Sequence, residues 1–379
     1  MSARSFEEAR AGAADPWHNP PMQTVATFEV QYEQLLDANA EIVGPLPDFA
    51  ADVAEVVRLY RAMARARAFD AKAMNLQRTG QIGTYPSCVG HEAAHVGVAA
   101  AMRPEDVLAP VYRELATQLW RGVSMTEILL YWGGDERGND FAGPRADFPW
   151  CVPIATQTLH ATGAAMAFKL RGEPRCALAY IGDGGTSEGA FYEAINMAGT
   201  RGLPVVFMIV NNGWAISVPV RAQTAARTLA QKAVAAGIPG IQVDGNDVLA
   251  VRAVVERALA TAREGRGPTV IEALTYRLSD HTTADDASRY RSAEEVRAAW
   301  ASDPLVRLRR YLTRLGAWSE TAEAALAASC AEEIEAAVAA YLAVPPPSTD
   351  AMFEHLFAHP PRQLEAQRAT ARAYASKPD

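Results

Sequence analysis

Two nearly all-apolar runs of strand length, CALAYIG and LPVVFMIV, stand close together in the middle of the chain. Such runs are typical of strands that are buried on both faces of a parallel sheet. The segment between them has apolar residues at helical spacing, namely Phe191, Ala194, Ile195 and Ala198. Thr186 or Ser187 is the predicted N-cap of this helix, with Glu188 in its first turn. The pattern therefore predicts a β-α-β unit.

The same alternation continues on both sides of this unit. Helical patterns cover residues 48–79 and recur in SMTEILLYW and PIATQTLHATGAAMAFKL. Further along, IQVDGNDVLAVRAVVERALATARE has the pattern of a strand, a turn and a helix, and PTVIEALTYRL that of a strand. From about residue 292 to residue 342 the pattern is helical. We therefore predict an α/β fold with a parallel sheet, helices on both faces and a helical C-terminal extension.

Three parts of the chain are expected. Residues 1–47 contain several prolines and lack a clear period, which predicts an irregular N-terminal arm. Residues 48–315 hold the alternating pattern and form the predicted α/β domain. Residues 316–379 form the helical C-terminal extension.

The composition narrows the class of protein. The chain has 379 residues, of which 49% are hydrophobic and 21% charged, and a formal net charge of −8, as expected for a globular protein with a large core. The acidic balance argues against a general nucleic-acid binder. Without a secretory signal pattern or an apolar run of spanning length, we expect a cytoplasmic protein that is not in a membrane. The four cysteines are widely spaced, which favours buried thiols over metal ligands or disulfides.

A charge argument concerns the end of the first apolar strand. Asp183 lies in IGDGG, and Asn212 ends the second strand, so their side chains are expected to meet at one edge of the sheet. A glycine turn before a helix attracts a diphosphate, but a carboxylate repels one. The two are compatible if Mg²⁺ lies between them, held by Asp183, Asn212 and a backbone carbonyl just beyond. The segment around Asp183 and the segment around Asn212 are each, taken alone, compatible with an ordinary tight turn. A dinucleotide-binding fingerprint is disfavoured, because it would need glycine at position 187, where the chain has Ser187.

Four segments together resemble one enzyme family. They are GDGGTSEGAFYEAINMAGTRGLPVVFMIVNNGWAIS, YRLSDHTTADDASRYR, GTYPSCVGHEAA and VYRELATQLWRGVSMTEILLYWGGDERGN. They are similar to the α subunit of the thiamin diphosphate-dependent first component of the pyruvate and branched-chain 2-oxo acid dehydrogenase complexes, over roughly residues 50 to 315. The resemblance implies a thiamin diphosphate-binding fold. It also implies oxidative decarboxylation of a 2-oxo acid, with transfer of the acyl group to lipoamide on an acyltransferase core.

The resemblance also implies ligands for the metal and the diphosphate. Asp183, Asn212 and the backbone carbonyl of Trp214 would hold Mg²⁺. The amides of Gly184 and Gly185 would bind the diphosphate.

Further cofactor contacts are implied on the other side of the site. Tyr112, Arg113 and Arg277 would meet the diphosphate, the arginines through charge-assisted hydrogen bonds. Without the motifs that surround them, Arg113 and Arg277 would each be interpreted as a residue of a surface ion pair. The backbones of Val152 and Ile154 would bind the aminopyrimidine, with the Ile154 side chain beneath the bent cofactor.

Histidines are candidates for proton transfer. His281 lies in SDHTTADDASRY, where composition alone indicates an exposed side chain. The resemblance implies that it stabilises the reaction intermediate and helps to pass the acyl group to a lipoyl arm. His91, His95 and His160 lie in small-residue helical stretches and are expected to be packing or interface residues. His91 is a weaker candidate for function, because it follows GTYPSC, which reaches the substrate channel in the family.

The resemblance implies a partner as well. A β subunit would supply the catalytic glutamate in an α2β2 heterotetramer, so half of each active site is expected to lie outside this chain. A self-sufficient thiamin enzyme is an alternative, but it would need a second α/β domain, which the sequence does not show. A non-catalytic Mg²⁺- or nucleotide-binding module is the remaining alternative.

The substrate is predicted from two apolar positions. Val111 and Val152 stand where branched-chain relatives often carry glutamine and serine. This favours pyruvate, with 3-methyl-2-oxobutanoate as the alternative, although a few methyl groups discriminate only weakly.

Overall fold

A six-stranded parallel sheet lies at the centre of the chain, of which the computed structural model describes residues 24–354 and 356–375. A separate two-stranded antiparallel hairpin stands beside it. The strands in chain order are β1 (Gln31–Glu33), β2 (Val107–Ala109), β3 (Ala177–Gly182), β4 (Val205–Asn211), β5 (Trp214–Ala215), β6 (Val218–Pro219), β7 (Gly240–Asp244) and β8 (Thr269–Leu274). The large sheet has the order β1-β7-β8-β4-β3-β2, and β5 and β6 form the hairpin. The predicted parallel α/β sheet is confirmed.

Helices connect and cover these strands. Those before β7 are α1 (Val53–Arg78), α2 (Glu92–Ala101), α3 (Leu115–Arg121), α4 (Met125–Trp132), α5 (Thr156–Arg171), α6 (Gly189–Arg201), α7 (Val220–Gln223) and α8 (Lys232–Ala235). Those after it are α9 (Val248–Arg263), α10 (Ala293–Ala299), α11 (Pro304–Arg314), α12 (Glu320–Leu342), α13 (Ala351–Glu354) and α14 (Arg362–Ala375).

The sheet is buried on both faces, as its unbroken apolar strands predict. In β3, Ala177, Ala179 and Ile181 belong to a core cluster that includes residues of α5 and α6. The alternate residues Leu178 and Tyr180 belong to the opposite cluster, which includes residues of α1, α2 and α9. Since side chains of a strand alternate between its faces, each apolar run contributes to two cores.

The helix of the β-α-β unit begins later than the sequence pattern predicts. Thr186 and Ser187, the predicted N-cap candidates, lie in a short 3-10 turn (Gly184–Ser187), and Glu188 is the N-cap of α6. The Thr186 hydroxyl donates to the carbonyl of Asp183 at 2.7 Å, so it stabilises this turn instead of capping α6. The N-cap prediction is therefore wrong, because the glycine turn occupies four residues after the strand.

Part of the predicted N-terminal arm belongs to the sheet. Strand β1 pairs in parallel with β7, and Leu35 and Leu36 after it are buried. Their amides donate to the Asp247 carboxylate at 2.8 and 2.6 Å. An irregular segment was expected, but three strand residues are too few to give a pattern. Residues 1–23 of the arm lie outside the described part, and the three-part division of the chain remains a prediction.

The C-terminal part is helical, as predicted. Helix α12 packs along α1 and α4. It does so through Leu326, Cys330, Ile334 and Val338, which recur every fourth residue on one face. Within residues 24–354 and 356–375, no helix is both long and apolar enough to cross a bilayer.

Candidate active site

A cavity of about 440 Å³ opens where β3 and β4 end, and it collects most of the predicted site residues. Ligands of parallel sheets bind beyond the carboxyl ends of the strands. The predicted residues that line the cavity are Tyr112, Arg113, Ile154, Asp183, Gly184, Gly185, Asn212, Trp214 and His281. Two predicted residues do not line it: Arg277 contacts the wall from behind, and Val152 lies outside with 52% of its surface exposed.

Asp183 is a buried carboxylate without a cationic partner. Its residue is 2% exposed, and its Oδ2 atom accepts a hydrogen bond from Gln223 Nε2 at 2.9 Å. Burial raises the pKa of Asp183 above its usual value, although the bond from Gln223 acts in the opposite direction. Among the described residues, no lysine or arginine forms an ion pair with it. A bound cation would relieve this unfavourable burial.

Asn212 and the carbonyl of Trp214 lie beside Asp183 in the same cavity. The Asn212 Oδ1 atom accepts from the Trp214 amide at 3.2 Å, and the Trp214 carbonyl accepts from Arg277 Nη1 at 3.4 Å. A carboxylate, an amide oxygen and a carbonyl form the hard oxygen set that suits Mg²⁺. The described chain holds no group of three or more His, Cys, Asp or Glu residues that would suit another metal. The chemistry of these donors therefore fits a magnesium ion.

The glycine turn after β3 has room for an anion but not for side chains. A Cβ atom on Gly184 would lie 2.5 Å from the Ala215 Cβ. A Cβ on Gly185 would lie 2.7 Å from Ile181 and 3.0 Å from Ile154. Along the described ranges, no hydrogen bond from the Gly184 or Gly185 amide to a backbone or side-chain acceptor is present. Free amides in a turn at the mouth of a helix form an anion-binding site.

Two arginines converge on His281 from different parts of the chain. Arg113 donates to the carbonyls of Ser87 at 2.5 Å and of His281 at 2.9 Å. Arg277 is fully buried and donates to Tyr290 Oη at 2.7 Å. Each guanidinium also approaches His281 Nδ1 at 3.2 Å. Neither arginine has a carboxylate ion pair among the residues described, so two positive charges, one in the cavity wall and one behind it, are available for an anion to neutralise.

The backbone beside Arg277 is strained. Ile216 has a φ of 55°, in the left-handed region that a β-branched residue rarely adopts. Its carbonyl accepts from Arg277 Nη2 at 2.9 Å. Strain of this kind is characteristic of binding sites, where surrounding contacts hold the backbone in place.

His281 is uncharged at neutral pH in this arrangement. Burial and the positive charges of Arg113 and Arg277 lower its pKa to about 3. Because both arginines approach Nδ1, that atom accepts, and the ring proton is assigned to Nε2. The loop is held by Asp285, which accepts from the His281 amide at 2.9 Å and from the Tyr290 hydroxyl. His281 is therefore fixed over the cavity with a donor available.

Several residues of the cavity wall are not among the predicted site residues. His91 and His95, expected to be packing or interface residues with His91 also a weaker candidate for function, line the inner wall. Within the described residues, none of their ring nitrogens has a hydrogen-bond partner. Glu114 accepts from the amides of Val111 and Arg113, and burial raises its pKa to about 7. Gln223 reaches Asp183 from α7, forty residues further along the chain. The spacing of His91 and His95, four positions apart, was the sequence feature that could have indicated a shared face toward the inner wall.

Comparisons with known proteins show which family of proteins the chain resembles. Residues 60–348 match the family described as "Dehydrogenase E1 component". The chain is 46% identical over 322 residues to "3-methyl-2-oxobutanoate dehydrogenase subunit alpha" of Mycobacterium tuberculosis, which covers 85% of this chain and 88% of that protein. It is 44% identical over 285 residues to "Pyruvate dehydrogenase E1 component subunit alpha" of Acholeplasma laidlawii (75% and 83% covered). For the protein of the same name from Staphylococcus aureus, identity is 41% over 319 residues (83% and 85% covered).

Proposed function

Because the chain belongs to the dehydrogenase E1 component family, as an α subunit of a 2-oxo acid dehydrogenase, we propose that it binds thiamin diphosphate with Mg²⁺ and decarboxylates a 2-oxo acid. The observation that carries this proposal is a charge pattern. Among the described residues, Asp183 has no cationic partner, and Arg113 and Arg277 have no anionic one. Asp183 and Arg113 line one cavity, and Arg277 contacts its wall from behind. A magnesium diphosphate group would neutralise both signs at once.

The metal and diphosphate contacts follow from this pattern. Asp183, Asn212 and the Trp214 carbonyl would hold Mg²⁺, while the amides of Gly184 and Gly185 bind the diphosphate. Arg277, which donates to the Trp214 carbonyl at 3.4 Å, would meet the diphosphate from the other side.

The remaining residues position the reacting groups. Bound thiamin diphosphate supplies the electron sink for the loss of carbon dioxide. Arg113 and Tyr112 would bind the diphosphate from the opposite wall, and His281 would donate a proton or hydrogen bond from Nε2 toward the acyl group. Ile154 lies against the glycine turn, where it would support the cofactor from below. Val152 lies outside the cavity wall, so its proposed contact depends on its backbone alone.

A β subunit would complete the site. Four apolar side chains around the cavity are 44 to 55% exposed, which is typical of a surface that a partner covers: Val152, Ile154, Ile216 and Val218. We propose an α2β2 heterotetramer that passes the acyl group to a lipoyl-bearing acyltransferase core. Its proposed location is the cytoplasm, which cell fractionation would test.

Pyruvate and 3-methyl-2-oxobutanoate are the two candidate substrates. Val111, an apolar residue, forms part of the cavity wall, in agreement with a small substrate such as pyruvate. The 46% identity to a 3-methyl-2-oxobutanoate dehydrogenase subunit favours the branched-chain acid as the second candidate.

The substrate is tested by measuring kcat/KM on the complete enzyme with a lipoylated acceptor. The substrates are pyruvate, 2-oxobutanoate and 3-methyl-2-oxobutanoate. We expect pyruvate to be preferred. A preference of tenfold or more for 3-methyl-2-oxobutanoate would assign the branched-chain activity, and turnover of none of the three would refute the proposed function.

A further inference from the structure

A buried lysine holds the glycine turn from behind. Lys232, the first residue of α8, is 6% exposed, and its Nζ atom donates to the carbonyl of Thr186 at 2.7 Å and to its hydroxyl at 2.9 Å. The same hydroxyl donates to the carbonyl of Asp183 at 2.7 Å. A chain of hydrogen bonds therefore runs from the ammonium group to the residue that is proposed to hold the metal.

The charge of Lys232 has no carboxylate partner. In the described portion of the chain, no acidic group lies within ion-pair distance of its Nζ atom. The carboxylate of Glu272 is bonded instead to backbone amides, those of Leu229 and Ala230, and to two amide side chains. The ring of Tyr192, whose centroid lies 5.4 Å from Nζ, also stabilises the charge.

An unpaired buried ammonium is unfavourable unless something compensates for it. Burial lowers the pKa of Lys232, although the negative charge of Glu272 acts in the opposite direction, so the charged form is destabilised on balance. Buried charges in proteins are normally paired. The turn that Lys232 holds faces the cavity on its other side, where Gly185 and Ser187 form part of the wall.

We propose that Lys232 is a positioning residue for the diphosphate, acting through Thr186 and the turn at residues 183–187. Its hydrogen bonds fix the turn in the shape that presents the free amides. Its positive charge behind the turn is compensated when the diphosphate binds in front of it. This inference rests on the proposed function, because it requires an anion in that cavity.

The test uses the full chain assembled with its β partner. Thiamin diphosphate affinity is measured by titration calorimetry in the presence of Mg²⁺, at two salt concentrations, together with kcat at saturating cofactor. Lys232→Met keeps the length of the side chain and removes the charge. Lys232→Arg keeps the charge, and Thr186→Val removes one of the two acceptors without changing the side-chain shape.

Lys169→Met is the matched control. Lys169 is an exposed lysine that donates to the carbonyls of Arg201 and Gly202 at the other end of α6, so it holds a turn in the same way but away from the cavity. We expect Lys232→Met to weaken cofactor binding at least tenfold, with kcat within about threefold of the parent. Thr186→Val should weaken it less, and Lys232→Arg should recover most of the affinity. The control should bind like the parent.

The dependence of cofactor affinity on salt distinguishes an effect of the Lys232 charge from an effect of the shape of the turn. If the charge contributes, the affinity of the parent falls more steeply with salt than that of Lys232→Met. Equal affinity of the two proteins, or a lower melting temperature of the variant without any change in affinity, would overturn the inference. A parent enzyme that turns over a 2-oxo acid while Lys232→Met binds normally would refute this inference alone. A parent that binds no thiamin diphosphate would refute the proposed function as well.

Discussion

At the scale of single residues, Asp183 determines whether the cavity accepts a metal. We predict that Asp183→Asn abolishes Mg²⁺-dependent binding of thiamin diphosphate, because the variant loses the charged ligand. The fold should stay intact, since burial already disfavours the charge in the free protein. Calorimetric titration with and without Mg²⁺, with a melting curve, measures both effects. Asp286→Asn, at an exposed aspartate in the segment that carries His281, is the control. Normal cofactor binding by Asp183→Asn would show that the ligand assignment is wrong.

His281 is expected to affect one half-reaction more than the other. Its Nε2 donor lies over the cavity, where an acceptor arm would arrive, so His281→Ala should slow acyl transfer to lipoamide on the order of 10²-fold. Decarboxylation, followed with an artificial electron acceptor, should change far less. Equal losses in both steps, or no loss in either, would remove this role.

The buried histidine His95 should give the protein an acid-sensitive stability. Burial lowers its pKa to about 3, from about 6.5 in the unfolded chain. Between these two pKa values, His95 is protonated in the unfolded chain but not in the folded protein. Its contribution to stability is therefore fully present above about pH 6.5 and is lost as the pH falls below that value.

We predict that His95→Gln removes this dependence. The slope of the unfolding free energy against pH, measured by urea denaturation between pH 6 and pH 5, should be shallower by about 1.4 kcal/mol per pH unit. His160→Gln, an exposed histidine on α5, controls for the general loss of an imidazole. An unchanged slope in His95→Gln would mean that His95 is protonated in the folded protein.

At the scale of elements, Asp247 joins the N-terminal segment to α9. Its carboxylate caps α9 through the amides of Leu249 and Ala250 and also accepts from Leu35 and Leu36. Asp247→Ala should therefore lower the free energy of unfolding by about 2 to 4 kcal/mol. Asp52→Ala removes a cap of the same type from α1 and should cost about 1 kcal/mol. In the described part of the chain, the Asp52 carboxylate accepts only from the amides of Ala54 and Glu55 of that helix. Equal losses would mean that the N-terminal segment contributes nothing.

The long elements could be predicted from the sequence and the short ones could not. Strands β3 and β4 are almost entirely apolar, β8 is apolar apart from Thr269 and Glu272, and α1 and α9 have a clear helical period. Strands β1 and β2 have three residues each, too few to show any period. The N-cap of α6 was missed for a different reason, because the hydroxyl of Thr186 bonds backward to Asp183.

The site could be predicted only where topology brings residues together. Asp183 and Asn212 end neighbouring strands, so the rule for parallel sheets is enough to join them. The contact of Arg113 with His281 spans 168 positions, and that of Lys232 with Thr186 spans 46. No local pattern indicates such contacts, since they depend on how loops fold back on the sheet.

At the scale of the whole molecule, the cavity is open toward one apolar surface. Asp183, Arg113 and Arg277 provide for a metal and a diphosphate, and the backbones of Val152 and Ile154 for the aminopyrimidine, but the catalytic glutamate is assigned to the β subunit. The central claim is therefore that this chain holds half of a shared active site.

Reconstitution tests that claim most directly. The purified chain, its β partner and their mixture are each assayed for release of carbon dioxide from a 2-oxo acid, with thiamin diphosphate, Mg²⁺ and a lipoylated acceptor present. We predict no turnover by either chain alone and turnover by the mixture that rises with added β until the two chains are equimolar. Full turnover by this chain alone, or none by the mixture, would contradict the account.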